Sequence, residues 1–298
     1  MKINLTGIFP PLPTSFDENE NLLADKMQAN IQILCKYDLA GFLVLGSNGE
    51  LVHLSEDEKI EVYQACRKAI PKDKLMLAGT GGQTTRETIR LSKAAADAGA
   101  DAVLVLNPYY YKGLMTTEAL VSYYHDVAND CPVPVIIYNM PGNTGIDMSA
   151  DQILAIANHP NIVGLKDSGG NITKIADIIG RAKHGFQVLA GSAGFLLAAL
   201  SVGAIGGIMA LANIAPKQCI DIQKLFLKND ILAARKVQAE MIPVNTAVTS
   251  AWGVPALKTA MNHLGLFGGI ARKPVQELPN KVKEQLINLL TENEINSI

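Results

Sequence analysis

Lys166 stands in the run NIVGLKDSGG, residues 161–170, directly after the apolar stretch Ile162–Leu165. Apolar surroundings disfavour the charged form of a lysine, so one placed there offers a neutral amine more readily than one in water. Such an amine can attack a keto group. The resulting iminium draws electrons from the adjacent carbon, and a carbon–carbon bond can then break or form. Tyr138, at the end of the equally apolar VPVIIYN (133–139), is a phenol able to move the protons of those steps. A lysine at a strand end is also commonly a salt-bridged structural residue, and the residue types alone leave both readings open.

Other chemistries find less support. The five histidines, His53, His125, His159, His184 and His263, show no paired spacing of the HxH kind, so no metal site is expected. No cofactor is expected either. LAGSAGF (189–195) has the glycines of a phosphate loop but no basic residue beside it. Neither a GxSxG elbow nor a Walker-type loop is present.

The elements that must position Lys166 and Tyr138 recur along the chain. GIFPPLPTSF from Gly7, GFLVLGS from Gly41, KLMLAGT from Lys74, AVLVLNP from Ala102, VPVIIYN from Val133, IVGLKDS from Ile162, FQVLAGS from Phe186 and AIGGIMA from Ala204 read as buried strands. Most are continuously apolar, as in a parallel sheet covered on both faces. Segments between them, such as TTRETIRLSKAAADAGA (84–100), carry apolar residues at helical spacing and end at a glycine. Eight such units predict an α/β fold, a (β/α)8 barrel, with an open doubly wound sheet as the competitor. The strand pattern stops after Asn213, which predicts a barrel over 1–223 and a helical C-terminal extension over 224–298. A barrel builds its site at the C-terminal strand ends. Here those ends read GSNGE, GTGGQ, NPYYY, YNMPGNTG, KDSGG and GSAGF. They are polar, aromatic and rich in glycine, which suits either a site or plain turns.

The whole-chain totals agree. In 298 residues, 48% are apolar and 18% charged, which fits a soluble globular protein. A net charge of −2 gives no reason to expect nucleic acid or an anionic membrane as partner. No apolar run approaches the roughly 20 residues that span a bilayer, and MKINLTGIFP lacks the apolar core of a signal peptide. Cys35, Cys66, Cys131 and Cys219 are scattered and read as reduced thiols of a cytoplasmic protein.

Together, GIFPPLPTSF, GSNGE, GTGG, PYYY, YNMPGNTG, GLKDSGG, AGSAG and GGI resemble, in order and over essentially the whole chain, the dihydrodipicolinate synthase/N-acetylneuraminate lyase superfamily of class I pyruvate-dependent aldolases. The resemblance implies that Lys166 is the Schiff-base lysine and Tyr138 the proton-relaying tyrosine. It implies that Ser47 and Asn48 hold the keto-acid carboxylate, with Ser47 joining the relay. Tyr110 matches a tyrosine that, in the synthases, completes the relay from a neighbouring subunit. Gly191 and Ile208 match positions whose backbone lines the pyruvate pocket. A homotetramer built as a dimer of dimers is implied as well.

Departures point to a subfamily. The synthases read GTTGE where this chain has Ser47 and Asn48, and carry an arginine where it has Asn143. Losing that guanidinium removes a charge-assisted contact worth roughly 1.5–3 kcal/mol. Glu56 and Lys59 replace the two histidines of the synthases' lysine-feedback site. GSNGE, PGNTG, NIVGLKDSGG, FQVLAGSAGF and ALAN are instead similar to 4-hydroxy-2-oxoglutarate aldolases. In that group Asn48 and Ser168 are candidates for contacts to the distal end of the substrate, although both also suit turns that bond local backbone. The favoured expectation is a lyase acting on a small 2-keto acid, 4-hydroxy-2-oxoglutarate, with pyruvate or glyoxylate products. Dihydrodipicolinate synthase, a related sugar-acid aldolase or dehydratase, and a non-catalytic keto-acid sensor are the alternatives.

Overall fold

The computed structural model describes residues 3–298. Each of the eight apolar runs yields a strand: β1 Gly7–Phe9, β2 Gly41–Val44, β3 Leu75–Gly79, β4 Ala102–Leu106, β5 Val135–Asn139, β6 Ile162–Asp167, β7 Gln187–Ala190 and β8 Gly206–Ile208. All pair in parallel with their neighbours, β2 through β8 in chain order and β8 with β1. Between β1 and β2 the ring is drawn together by a bridge at Pro11 and Leu43, with Leu43 N donating to Pro10 O (3.0 Å) and Leu12 N to Leu43 O (2.8 Å). The open doubly wound alternative fails on this pairing, because β1 has a neighbour on each side.

Side chains alternate across each strand. Phe9, Leu43, Leu77, Leu104, Ile136, Leu189 and Ile208 fill the barrel interior as one cluster. Phe42, Val44, Met76, Val103, Ile137, Leu165 and Val188 face the helices as part of a second, larger cluster. With both faces buried, the strands lack the apolar–polar alternation of a half-exposed sheet.

The helices begin where the strand-end loops supply caps. Ser55, Thr84, Thr116 and Ser149 each accept a backbone N–H in the first turn of the helix that follows, and Ser55 and Ser149 complete capping boxes with Glu58 and Gln152. The helix Thr85–Asp97 stops at the expected glycine, Gly99, which takes φ +94°.

Beyond β8 the chain is helical, with helices Pro216–Leu227, Ile231–Thr246, Gly253–His263 and Asn280–Glu292. Position 223 lies within the first of these. The segment that follows His263 returns to the N-terminal half, where Asn30 exchanges two 2.8 Å hydrogen bonds with the backbone of Phe267. No helix among the described residues is long and apolar enough to cross a membrane. All four cysteines are unpaired thiols.

Candidate active site

Alternation along β6 decides where its polar residues point. Leu165 packs in the outer cluster, so Lys166, one residue on, faces the interior. In register it sits beside Tyr138 of β5 on one side and Leu189 of β7 on the other, and both belong to the interior cluster. Lys166 is 3% exposed. Its Nζ lies 4.2 Å from the centroid of the Tyr138 ring, over the face of the phenol. Among the described residues it forms no ion pair. Its neighbour Asp167 faces the opposite way and pairs with Lys174 at 3.2 Å. The salt-bridged structural reading of Lys166 therefore fails.

Tyr138 is buried, and its hydroxyl lies 3.3 Å from Ser47 Oγ. Burial pushes the phenol up. The Lys166 charge and hydrogen bonds from Ser47, Ser168 and Lys166 outweigh burial and leave it below the usual tyrosine range. Such a phenol gives up its proton more readily than a free tyrosine, as a relay group must. Ser168 packs against position 191, which has no side chain. A Cβ on Gly191 would overlap Ser168 Oγ and lie 2.6 Å from Asp167 O.

A cavity of about 420 Å³ opens on this cluster. Ser47, Tyr138 and Asn143 line it with Gly81, Gln83 and Tyr109. Lys59 stands on its wall too, whereas Glu56 is drawn away into an ion pair with Arg90. Lys166 is not itself on the wall; it touches the cavity's boundary through the Tyr138 ring. Of the other candidates, Asn48 is half-buried in the turn Ser47–Gly49, and Ile208 is fully buried inside the barrel. Tyr110 is 76% exposed and stacks edge-on against Tyr111. Within one chain it stands apart from the Lys166–Tyr138–Ser47 cluster.

A second layer of polar residues locks β5 to β6. Asn139 and Asp167, one residue beyond Tyr138 and Lys166, are both fully buried. Asn139 Nδ2 donates to Asp167 Oδ2 and to Asp147 Oδ1, each at 2.8 Å. Lys174 binds both carboxylates. Asp167 Oδ1 accepts the Gly169 and Gly170 amides at 2.9 and 3.3 Å, which shapes the loop carrying Ser168. Main-chain bonds complete the lock, from Ser168 N to Asn139 O (2.9 Å) and from Gly191 N to Asp167 O (2.7 Å). The sequence motifs do not single out Asn139, Asp147, Asp167 or Lys174.

Comparison with known proteins agrees with the barrel. A probable mitochondrial 4-hydroxy-2-oxoglutarate aldolase of Emericella nidulans is 38% identical over 90% of this chain and 88% of its own. A 4-hydroxy-tetrahydrodipicolinate synthase of Methanoculleus marisnigri is 33% identical over 95% and 98%. Among solved structures, a dihydrodipicolinate synthase of Bacillus anthracis superposes with a TM-score of 0.93 at 28% identity, covering 97% of this chain and 98% of that one. The prophage protein YagE of E. coli K12, solved in complex with pyruvate, gives 0.92 at 30% identity over 98% and 100%. Residues 4–293 match the dihydrodipicolinate synthetase family, and with the fold and these relatives in agreement, the chain belongs to that family.

Proposed function

We propose that the protein is a class I carbon–carbon lyase that cleaves 4-hydroxy-2-oxoglutarate to pyruvate and glyoxylate through an iminium on Lys166. The observation that carries this reading is a lysine buried without an ion-pair partner against a phenol whose own oxygen is bonded to Ser47 at a cavity. In the proposed sequence the Lys166 amine adds to C2 of the keto acid and water leaves. Tyr138 takes the proton of the C4 hydroxyl, the C3–C4 bond breaks, and its electron pair passes to the iminium as an enamine. Glyoxylate departs. Protonation at C3 and hydrolysis then release pyruvate and restore the amine. Ser47 serves as the hydroxyl partner of Tyr138, and with Asn48 it holds the carboxylate beside the keto group. Gly191 and Ile208 offer backbone to the pyruvoyl end, while Asn48 and Ser168 meet the distal end and Asn143 contacts the substrate from the cavity wall. Tyr110 joins from a neighbouring subunit of a homotetramer, a role that suits its exposure.

The second reading, condensation of pyruvate with aspartate semialdehyde, draws support from the synthases among the relatives. It is disfavoured by Asn143 on the cavity wall, a neutral amide where those enzymes carry an arginine.

Borohydride reduction in the presence of pyruvate, followed by mass mapping, tests the chemistry. The expected result is a single adduct on Lys166. No adduct, or one on another lysine, overturns the reading. Turnover of 4-hydroxy-2-oxoglutarate is expected to exceed condensation with the semialdehyde by at least about tenfold, and the reverse order transfers the assignment to the second reading.

A further inference from the structure

The turn that carries Ser47 ends in a residue with an unusual backbone and an unusual partner. Glu50 takes φ +55°, a left-handed conformation seldom adopted by a side-chain-bearing residue, and it is 4% exposed. Its Oε1 lies 2.5 Å from Nζ of Lys258, which is 1% exposed and belongs to the C-terminal helix Gly253–His263. Its Oε2 accepts the backbone N–H of Arg272 at 2.8 Å and lies 3.4 Å from His53 Nδ1. Lys258 Nζ also donates to Ile270 O at 2.5 Å and lies 4.7 Å from the centroid of the Phe16 ring. From the N-terminal side, Thr14 Oγ1 donates to Gly49 O at 2.6 Å. The turn is thus gripped by its last two residues, Gly49 and Glu50, while its first, Ser47, is left to meet Tyr138.

A buried ion pair is a poor means of stabilising a fold, because desolvation cancels most of the attraction and an apolar pair of similar size does as well. Here the pair joins the C-terminal extension to the turn whose Ser47 hydroxyl meets Tyr138. Resting on the Schiff-base reading above, we infer that Glu50 and Lys258 are positioning residues: through them the C-terminal extension holds Ser47 Oγ at the Tyr138 phenol. The extension is then part of the catalytic unit, although none of its residues lines the cavity.

The test uses the full chain with the double variant Glu50→Gln/Lys258→Met, which removes both charges and leaves neither stranded, alongside Ser47→Ala and the triple variant. The double variant is expected to melt within a few degrees of the parent. Its rate of pyruvate trapping on Lys166 should fall about tenfold or more, with the adduct still on Lys166. In the Ser47→Ala background the same two substitutions should cost less than about twofold, since the hydroxyl they position is already gone. Unchanged trapping in the double variant overturns the inference, as does a loss that multiplies with that of Ser47→Ala. Hydrogen–deuterium exchange separates this claim from the chemistry. Amides of residues 46–54 should exchange faster in the double variant, while those of β5 and β6 stay protected. Unchanged exchange at 46–54 overturns the positioning claim whatever the reaction, whereas a parent without an adduct on Lys166 overturns only the Schiff-base reading. If the double variant does not fold, Lys258→Arg, which keeps the charge with altered geometry, takes the same measurements with the same expected and overturning results.

Discussion

The Tyr138 hydroxyl lies 3.3 Å from Ser47 Oγ, while its ring packs against Lys166 Nζ. These two loads separate on substitution. Tyr138→Phe keeps the ring and removes only the hydroxyl, so the fold loses the hydrogen bond to Ser47, worth about 0.5–1.5 kcal/mol. If the phenol relays protons, iminium formation should slow by about 10²-fold or more. Stopped-flow trapping beside thermal melts checks this, and a variant that lost stability and rate in proportion would count against the relay. Because Lys166 and the serines hold the phenol below its ordinary range, the rate in the parent should rise to its plateau at a pH lower than a free tyrosine would dictate, and that limb should vanish in Tyr138→Phe. Lys166 and Tyr138 were legible in the sequence because a reactive group at the end of an apolar run is conspicuous. Lys258 was not. In VPALKTAM it reads as an ordinary helical lysine, and only the return of the C-terminal segment over Phe16 shows that its surroundings are closed. The sequence marks Ser168 as a candidate for the distal end of the substrate, but not that its place depends on the missing side chain of Gly191, just past the end of β7.

β5 and β6 are fastened by more than their ladder, because each continues one residue past its reactive side chain into Asn139 or Asp167. Strand alternation sends these two residues to the helix side, where Asp147 and Lys174 meet them. Asn139→Ala strips a donor from a fully buried carboxylate, so a loss of about 1–3 kcal/mol in stability is expected, measured by urea unfolding. Turnover should fall as well, since the register of Tyr138 beside Lys166 is loosened. Asp147→Ala, at a half-exposed rim, should cost clearly less. Equal effects from the two would show that the network does not fasten the strands. At this scale the sequence was most informative. Apolar runs located all eight strands, and Ser or Thr caps mark where several helices begin. The polar lock was hidden for a physical reason. A period of two places Asn139 and Asp167 on the outer face, yet that face is ordinarily apolar in a barrel, and nothing local reveals that a loop and a helix bring partners to it.

The molecule as a whole is cinched by Arg272, which ties the C-terminal segment to several places in the N-terminal half. Its guanidinium donates to Glu58 Oε1 and Oε2 at 2.7 and 2.9 Å, to Glu20 O at 2.6 Å and to His53 O at 2.9 Å, and it lies 4.2 Å from the centroid of the Phe16 ring. The paired fork geometry is the strong form of this contact. The Arg272 hydrogen bonds hold the Glu58 carboxyl down at about 2, against an ordinary value of 4.5, with the Ser55 cap contributing and burial opposing. The direction of the pH effect follows from that depression. Above pH 4.5 Glu58 is ionised in both the folded and the unfolded chain, and the pair contributes fully. As pH falls below 4.5 the unfolded chain takes up a proton that the folded chain refuses until about pH 2, so stability drains away across that window. Melting temperature measured between pH 5.5 and 3 should therefore fall for the parent, by about 2–4 °C for each kcal/mol lost. Asp38 and Asp147, held low by Lys224 in the first case and by Lys174 and Asn139 against burial in the second, add to the same slope. Glu58→Gln should start from a lower melting temperature at pH 5.5 and decline less steeply, so that the two curves converge toward pH 3. Parallel curves would mean that the strap between the two halves of the chain does not depend on the Glu58 charge.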